Sequence, residues 1–400
     1  MTKIEQLIKE LCPNGVEYKK LGEVCDKIVD GMHSLPKEAG STGVYPILSA
    51  QNVHDNIIDY VTNKYVNEDI YIKENKRTSV ENGDVLLTIV GAIGRTALVT
   101  NDLKALFQRS ICVIKPKHNI INSSYLKYVL DSTKTQIYIL TNAHGAAQKG
   151  LYLKEVEKIK IPIPPLEVQA EIAKILDEYS TSVTALQQEL EKELTASKKQ
   201  YEYYRDLLLD FCVHGGTSEC EWRTIKEVCS ISAGGDVPKD SFSKDKTDIF
   251  NIPIISNGIG DNALYGYTSI EKIAEPAVTV AARGTIGYAE YRDYPYYPII
   301  RLLTVIPKEK SYLNTKYLYY VLQRQHYDVP KTGIPQLTSP MIQKISIPIP
   351  SIEEQKCIVS ILDRFDKLCN DISEGLPAEI EARRKQYEYY RDKMLSFNEA

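Results

Sequence analysis

One sixteen-residue stretch occurs twice in this chain, as ASKKQYEYYRDLLLDF at 196–211 and as ARRKQYEYYRDKMLSF at 382–397. Both contain the run Lys-Gln-Tyr-Glu-Tyr-Tyr-Arg-Asp, at 199–206 and 385–392, an offset of 186 residues. The same offset relates KIKIPIPPLEVQAEIAKILD at 158–177 to KISIPIPSIEEQKCIVSILD at 344–363. A gap-free repeat is what a duplicated long helix requires, because one inserted residue turns everything beyond it by about 100°. Apolar residues step by threes and fours through Leu186, Leu190, Leu194, Tyr201 and Tyr204, and identically through Ile372, Leu376, Ile380, Tyr387 and Tyr390. Such spacing makes a coiled-coil seam. Consecutive steps of four, 186–190–194 and 372–376–380, mark a stutter in both copies. The one non-apolar seam position, Ser197 or Arg383, also falls at the same place. A fixed offset favours pairing of the two helices with each other over burial in separate domains.

The globular parts are mildly basic and the helices acidic. Residues 1–165 hold 21 basic and 18 acidic side chains and residues 213–351 hold 15 and 14, whereas 166–212 hold 5 and 10 and 352–400 hold 8 and 11. With a net charge of −4, long-range steering by the whole molecule is expected to be weak, but local basic faces remain open. Eight Cys occur without C-x-x-C or zinc spacing, so they read as reduced thiols, several of them core packing. With no signal peptide and no apolar run of membrane length, the expected location is cytoplasmic, away from membranes.

Residues 2–11 predict a short helix stopped by Cys12-Pro13-Asn14-Gly15. Strands follow at 45–49, 84–90 and 111–114, with a tight turn at Gly91-Ala92-Ile93-Gly94 leading into a returning strand. Residues 123–130 predict a helix capped by Ser, and 159–163 a closing edge strand whose prolines also punctuate the start of the long helix. The second half echoes this order: Trp222–Cys229 matches Tyr18–Cys25, Arg283–Tyr288 contains a second G-x-I-G, and Tyr317–Leu322 matches Tyr125–Leu130. Here the offsets drift, at 204, 193 and 192 for Cys25/Cys229, Gly94/Gly287 and Tyr125/Tyr317. Loops have changed length on a persistent frame. Since recognition lives on loops held by a rigid scaffold, the pattern points to two different reading surfaces on two nearly identical struts.

The order of globular domain, I-P-I-P-P-L-E-x-Q helix, second globular domain and I-P-I-P-x-x-E-x-Q helix resembles the DNA-specificity subunit of type I restriction–modification enzymes. So do Lys199–Asp206, Lys385–Asp392 and the G-x-I-G turns at Gly91–Gly94 and Gly284–Gly287. The resemblance covers the whole chain. It implies two target-recognition domains, each reading half of a bipartite asymmetric site in double-stranded DNA. It further implies long helices that separate the domains and dock two methyltransferase subunits, with restriction/translocase subunits joining that core. S-adenosylmethionine, ATP and Mg would be used by those partners, and this chain would bind no cofactor.

The expected architecture is α+β, with two β-rich recognition domains at 1–165 and 213–351 and two long helices at 166–212 and 352–400. Connectivity makes the helices antiparallel and the molecule pseudo-twofold. The second helix carries Gly375-Leu376-Pro377, which predicts a break with Pro377 in the first turn of a new segment. The 47 positions of 166–212 could reach about 70 Å, so the helices would act as a ruler between half-sites.

No catalytic or metal site is expected. The only Pro-Pro, Ile163-Pro164-Pro165-Leu166, is apolar, unlike the polar loop that an adenine methyltransferase sets against a flipped base. No phosphate-binding Gly-rich loop is present, Gly234-Gly235-Asp236 reads as a turn, and the six His are scattered. Base reading needs Arg, Lys, Asn or Gln at base edges, with phosphate contacts to fix register. The DNA-binding candidates are Lys76, Arg77, Arg95, Gln108, Arg109, Gln148 and Lys149 in the first domain, and Arg283, Tyr288, Arg301, Lys331 and Gln336 in the second. The seam tyrosines are assigned to packing. The competing reading is a coiled-coil protein–protein adaptor with no DNA role.

Overall fold

The computed structural model describes residues 3–54, 56–101, 104–145, 149–211, 220–329, 335–370 and 375–400. They form two compact units, Met1–Glu189 with Ile380–Ala400, and Leu190–Glu379. The boundaries cut through helices, so each unit takes helix from both copies of the repeat. Unit 1 is built on a four-stranded antiparallel sheet in the order Cys25–Asp30, Ile111–Pro116, Val85–Thr88, Thr96–Leu98. Unit 2 repeats that order with Cys229–Ala233, Leu303–Pro307, Ala277–Val280 and Ala289–Arg292. Each unit adds a small three-stranded sheet, around Tyr45–Leu48 in one and Ile252–Ile255 in the other. Each also has a two-stranded ribbon that joins its start to its closing strand, Glu17–Lys20 with Lys160–Ile163 and Glu221–Thr224 with Ser346–Ile349.

The first long helix, Leu166–Leu208, is continuous over 43 residues. The second copy is described as two helices, Ile352–Asn370 and Leu376–Met394, and Pro377 is the second residue of the latter. At that position the missing proline N–H costs no helical bond. In unit 1, Tyr179 meets Tyr387 and Tyr390 with ring centroids 5.6 and 6.1 Å apart. In unit 2, Tyr204 meets Phe365 at 5.6 Å. Within unit 1, Ile172 and Leu176 share a core with Leu395 while Tyr179 meets Tyr387, so rising numbers on the first helix meet falling numbers on the second and the pairing there is antiparallel. Under the 186-residue offset, Tyr179 and Tyr390 become Phe365 and Tyr204, so both units use the same pair of repeat positions.

The repeated motifs carry repeated hydrogen bonds. Gln169 and Gln355, of the E-x-Q motifs, are fully buried. The Gln169 amide donates to the carbonyls of Ile120 and Pro164 at 3.0 and 2.7 Å and accepts from Asn122 N at 2.8 Å. Gln355 donates to the Tyr312 and Pro350 carbonyls, both at 2.9 Å, and accepts from Asn314 N at 2.8 Å. Each glutamine thus fastens the start of a long helix to the turn before the helix Ser123–Asp131 or Thr315–Arg324. The cap of the former is Asn122, whose side chain accepts from Tyr125 N at 3.0 Å, and not Ser123 as the sequence suggested. Ser123 is already helical, and the asparagine one residue earlier has the extended backbone that a cap needs. Asn314 serves identically in unit 2. Tyrosine hydroxyls from the same short helices reach the frame: Tyr125 donates to Pro162 O and Tyr317 to Pro348 O, while Tyr128 and Tyr320 donate to Asp177 and Asp363.

The Tyr-Arg-Asp ends of the repeated run lock helix to domain. In unit 1, Asp392 accepts from Thr133 N at 3.2 Å, placing a carboxylate at the start of the helix Thr133–Thr141, and Arg391 is buried over the Tyr387 ring. In unit 2, Tyr201 is buried and donates to Gln323, Arg205 lies over its ring, and Arg324 reaches Asp206 at 3.7 Å and Leu209 O at 2.9 Å. Of the other seam residues, Leu190 and Leu376 are buried and Leu186, Leu194, Ile380 and Tyr387 half-buried, while Tyr204 and Tyr390 are more exposed despite their ring contacts. Ile372 lies outside the described residues.

Five cysteines, Cys12, Cys25, Cys112, Cys229 and Cys369, are buried. The last residues of the chain close unit 1: Val16 N donates to Asn398 O, Ala400 N donates to Val16 O, and Tyr18 donates its hydroxyl to Phe397 O. Leu395 joins the unit 1 core, which also holds Ile172 and Leu176.

Candidate nucleic-acid interface

The G-x-I-G turns close the hairpin of each four-stranded sheet. Gly91 and Gly94 have φ of 83° and 94°, and Gly284 and Gly287 have 69° and 84°, conformations that L side chains rarely adopt. Gly94 N donates to Thr88 O and Gly287 N to Ala281 O, both at 2.9 Å. A further segment lies against each turn: Leu151 N donates to Ile89 O at 2.8 Å, and Leu337 N to Ala282 O at 2.9 Å. That segment brings Lys149 to the turn in unit 1 and Gln336 in unit 2. Gln336 accepts from the Arg283 guanidinium at 3.2 and 2.8 Å, so two predicted residues are hydrogen-bonded to each other. Arg95 is exposed at the base of the first turn and reaches Val53 O at 3.4 Å.

A second turn stands beside this one in each unit. In unit 1, Ile111 N donates to Gln108 O at 2.9 Å across Arg109 and Ser110. The turn crosses Gly31 so closely that a Cβ there would collide with the Phe107 carbonyl. Gln108 is half-buried and Arg109 exposed. Arg77 approaches the same crossing, with Nη2 2.6 Å from Asp30, which immediately precedes Gly31. Lys76 is exposed just past the helix Glu68–Asn75 and joins none of these contacts.

In unit 2, the corresponding turn is Ile299–Leu302, with Leu302 N donating to Ile299 O at 3.0 Å. It crosses Gly234, where a Cβ would lie 2.8 Å from Ile299 N and O. Gly234-Gly235 is therefore not the simple turn that the sequence suggested but the place where one strand end passes under another. Ile300 and Arg301 have φ of 52° and 58°. Left-handed backbone at a non-glycine residue costs of order 1–3 kcal/mol, most for a β-branched one. This is a two-residue turn of the kind that Asn-Gly fills without strain, and nothing in the sequence marks Ile-Arg for it. Asn257 fastens it: its side-chain amide donates to Ile300 O at 2.6 Å and accepts from Ala282 N at 2.7 Å, and its carbonyl accepts from Thr285 Oγ1 at 2.7 Å. The two turns are thereby one platform. Tyr288 is half-buried behind it, and burial, with Glu290 second, pushes its hydroxyl pKa up. Gln148 and Lys331 lie outside the described residues.

The model of the type I restriction modification DNA specificity domain matches residues 13–196 and again residues 217–382. The chain belongs to this family. Among its relatives in the specificity family is a putative type I restriction enzyme specificity subunit of Haemophilus influenzae, 31% identical over 96% of each chain. The specificity subunit of the Escherichia coli EcoR124I/EcoR124II restriction enzyme is 34% identical over 69% of this chain and 72% of its own. The fold matches a chain of a type I restriction–modification system with a TM-score of 0.69 at 17% identity, covering 96% of this chain and 98% of the other. The HsdS subunit of Thermoanaerobacter tengcongensis matches at 0.51 and 17%, covering 96% of each. Sequence-specific DNA recognition in a type I restriction–modification complex is the function of this family member, and each match to the specificity-domain model contains one of the paired turns. Among the described residues, no helix is long and apolar enough to cross a membrane, and no cluster of three His, Cys, Asp or Glu could hold a metal ion.

Proposed function

We propose that each unit reads one half of a bipartite DNA site through its paired turns, and that the chain itself performs no catalysis. The observation that supports this reading is the two platforms, which share a frame and differ in chemistry. The first offers Arg95, Arg109 and Lys149, and the second Arg283 with Gln336, and Arg301. Tyr288 backs the second platform, Arg77 extends the basic side of the first through Asp30, and Lys76 is the residue before it. S-adenosylmethionine belongs to methyltransferase partners in this reading, and ATP and Mg to restriction/translocase partners.

The same reading has the methyltransferase subunits dock on the repeated helices, one per copy. Within the eight-residue run, Tyr201, Arg205 and Asp206, like Tyr387, Arg391 and Asp392, are occupied by their own unit. Lys199, Gln200 and Tyr203 recur as Lys385, Gln386 and Tyr389, and all six are exposed, the tyrosines by 64% and 61%. Lys385 pairs with Glu381, Gln386 accepts from Arg383, and Tyr203 and Tyr389 meet Tyr204 and Tyr390, all along their own helix. Identical exposed side chains presented twice suit one kind of partner bound twice.

Exchange of residues 213–351 for the corresponding domain of a relative tests the reading, in a complex with the methyltransferase subunits. Mapping of methylated sites will show one half-site changed and the other kept. A change in both halves, or no sequence-specific methylation by the parent complex, would refute it. Binding to duplex DNA will also weaken steeply with salt, as phosphate contacts require.

A further inference from the structure

The turn Ile299–Leu302 holds two side chains that its backbone disfavours. Its counterpart Gln108–Ile111 occupies the same place over Gly31 without left-handed residues. Strain is therefore not demanded by the frame. Nor do the side chains repay it inside the protein: Ile300 is 46% exposed, and the Arg301 guanidinium makes no hydrogen bond or ion pair among the described residues. Arg109 on the counterpart turn is likewise exposed and without a side-chain partner there.

The turn is nevertheless held fast. Ile300 N donates to Gly235 O at 2.9 Å, Arg301 N to Gly234 O at 3.0 Å, and Asn257 grips Ile300 O while bonding the neighbouring turn through Ala282 and Thr285. Lys272 is exposed close by, with its Nζ 3.7 Å from where a Cβ on Gly235 would lie. A rigid tip with one apolar branch, one unengaged guanidinium and a flanking ammonium matches the edge of a base pair beside a phosphate. A guanidinium fork fits the two acceptors of guanine in the major groove, and a branched apolar side chain fits a thymine methyl.

We propose that Ile300-Arg301 is the base-reading tip of unit 2, with Arg301 hydrogen-bonding a guanine and Ile300 packing on an adjacent thymine methyl. The assignment rests on the reading of each unit as the reader of one half-site. Two variants test it in the assembled methyltransferase complex. Ile300→Asn/Arg301→Gly gives the turn the residues its backbone favours, and Arg301→Lys keeps the charge but removes the fork. The first will raise the unfolding midpoint by about 2–4 °C. Methylation mapping will show at least tenfold weaker discrimination at one or two adjacent positions of a single half-site, with the other half unchanged. Arg301→Lys will lose discrimination at the guanine alone. An unchanged motif with either variant would overturn the assignment while leaving half-site reading intact. A parent complex that methylates no bipartite sequence would overturn both.

Discussion

Gln169 and Gln355 show how much of this fold rests on single buried side chains. Replacement of Gln169 by Leu leaves Asn122 N and the carbonyls of Ile120 and Pro164 without their partner. At about 1–3 kcal/mol per unsatisfied buried group, unit 1 will lose at least about 3 kcal/mol while unit 2 stays as it was. Hydrogen exchange will report this as lost protection in residues 120–176 only. The buried thiols give a pH signature. Burial pushes Cys25 and Cys229 up to about 12 from an ordinary value of 9.0. Above pH 9 the unfolded chain gives up these protons and the folded chain keeps them, so stability falls as pH rises from about 9 towards 12. Urea unfolding across that window will have a shallower pH slope in Cys25→Ala/Cys229→Ala, by up to about 1.4 kcal/mol per pH unit for each thiol. At this scale the sequence was least legible. A lone Gln in a helix start looks like surface, Asn122 hides beside a plausible Ser, and an Ile-Arg pair conceals a left-handed turn because local preference argues against it.

At the scale of elements, the helices were readable because their repeat is local in sequence and allows no gaps. The G-x-I-G hairpins were readable because only glycine fills their backbone. The crossing of Gly31 and Gly234 by strands far along the chain was not, since close approach of distant backbone leaves no periodic trace. The seam spacing identified the helix pairing and assigned Tyr201, Tyr204, Tyr387 and Tyr390, four of the six tyrosines of the repeated run, to packing. Tyr201 and Tyr387 serve their own units, while Tyr203 and Tyr389, outside the seam, are the most exposed tyrosines of the run. If the methyltransferase subunits dock as proposed, replacement of Tyr203 by Ala will remove one subunit of two in native mass spectrometry, and Tyr203→Ala/Tyr389→Ala will remove both. Neither will shift the unfolding midpoint by more than about 1–2 °C, as expected for exposed positions. Retention of both subunits by the double variant would refute docking at these residues.

For the whole molecule, the discontinuity of unit 1 has a consequence for how the chain is made. Unit 2 is one uninterrupted run, Leu190–Glu379, whereas unit 1 needs Ile380–Ala400 to cover Tyr179, cap the helix at Thr133 and pair with Val16. A ribosome delivers those residues only after all of unit 2 has been made. The first unit to be translated is therefore the last to be completed. Until then, Tyr179 lacks Tyr387 and Tyr390, and the core that holds Ile172 and Leu176 lacks Leu395. Nascent chains stalled with residue 379 outside the exit tunnel will be cut by protease within unit 1 and resist within unit 2, and extension through residue 400 will restore resistance to both. Equal resistance at both lengths would mean that unit 1 folds without its final segment. Early termination thus harms the oldest part of the chain more than the newest, and a cell's quality control would meet an open N-terminal unit beside a finished neighbour.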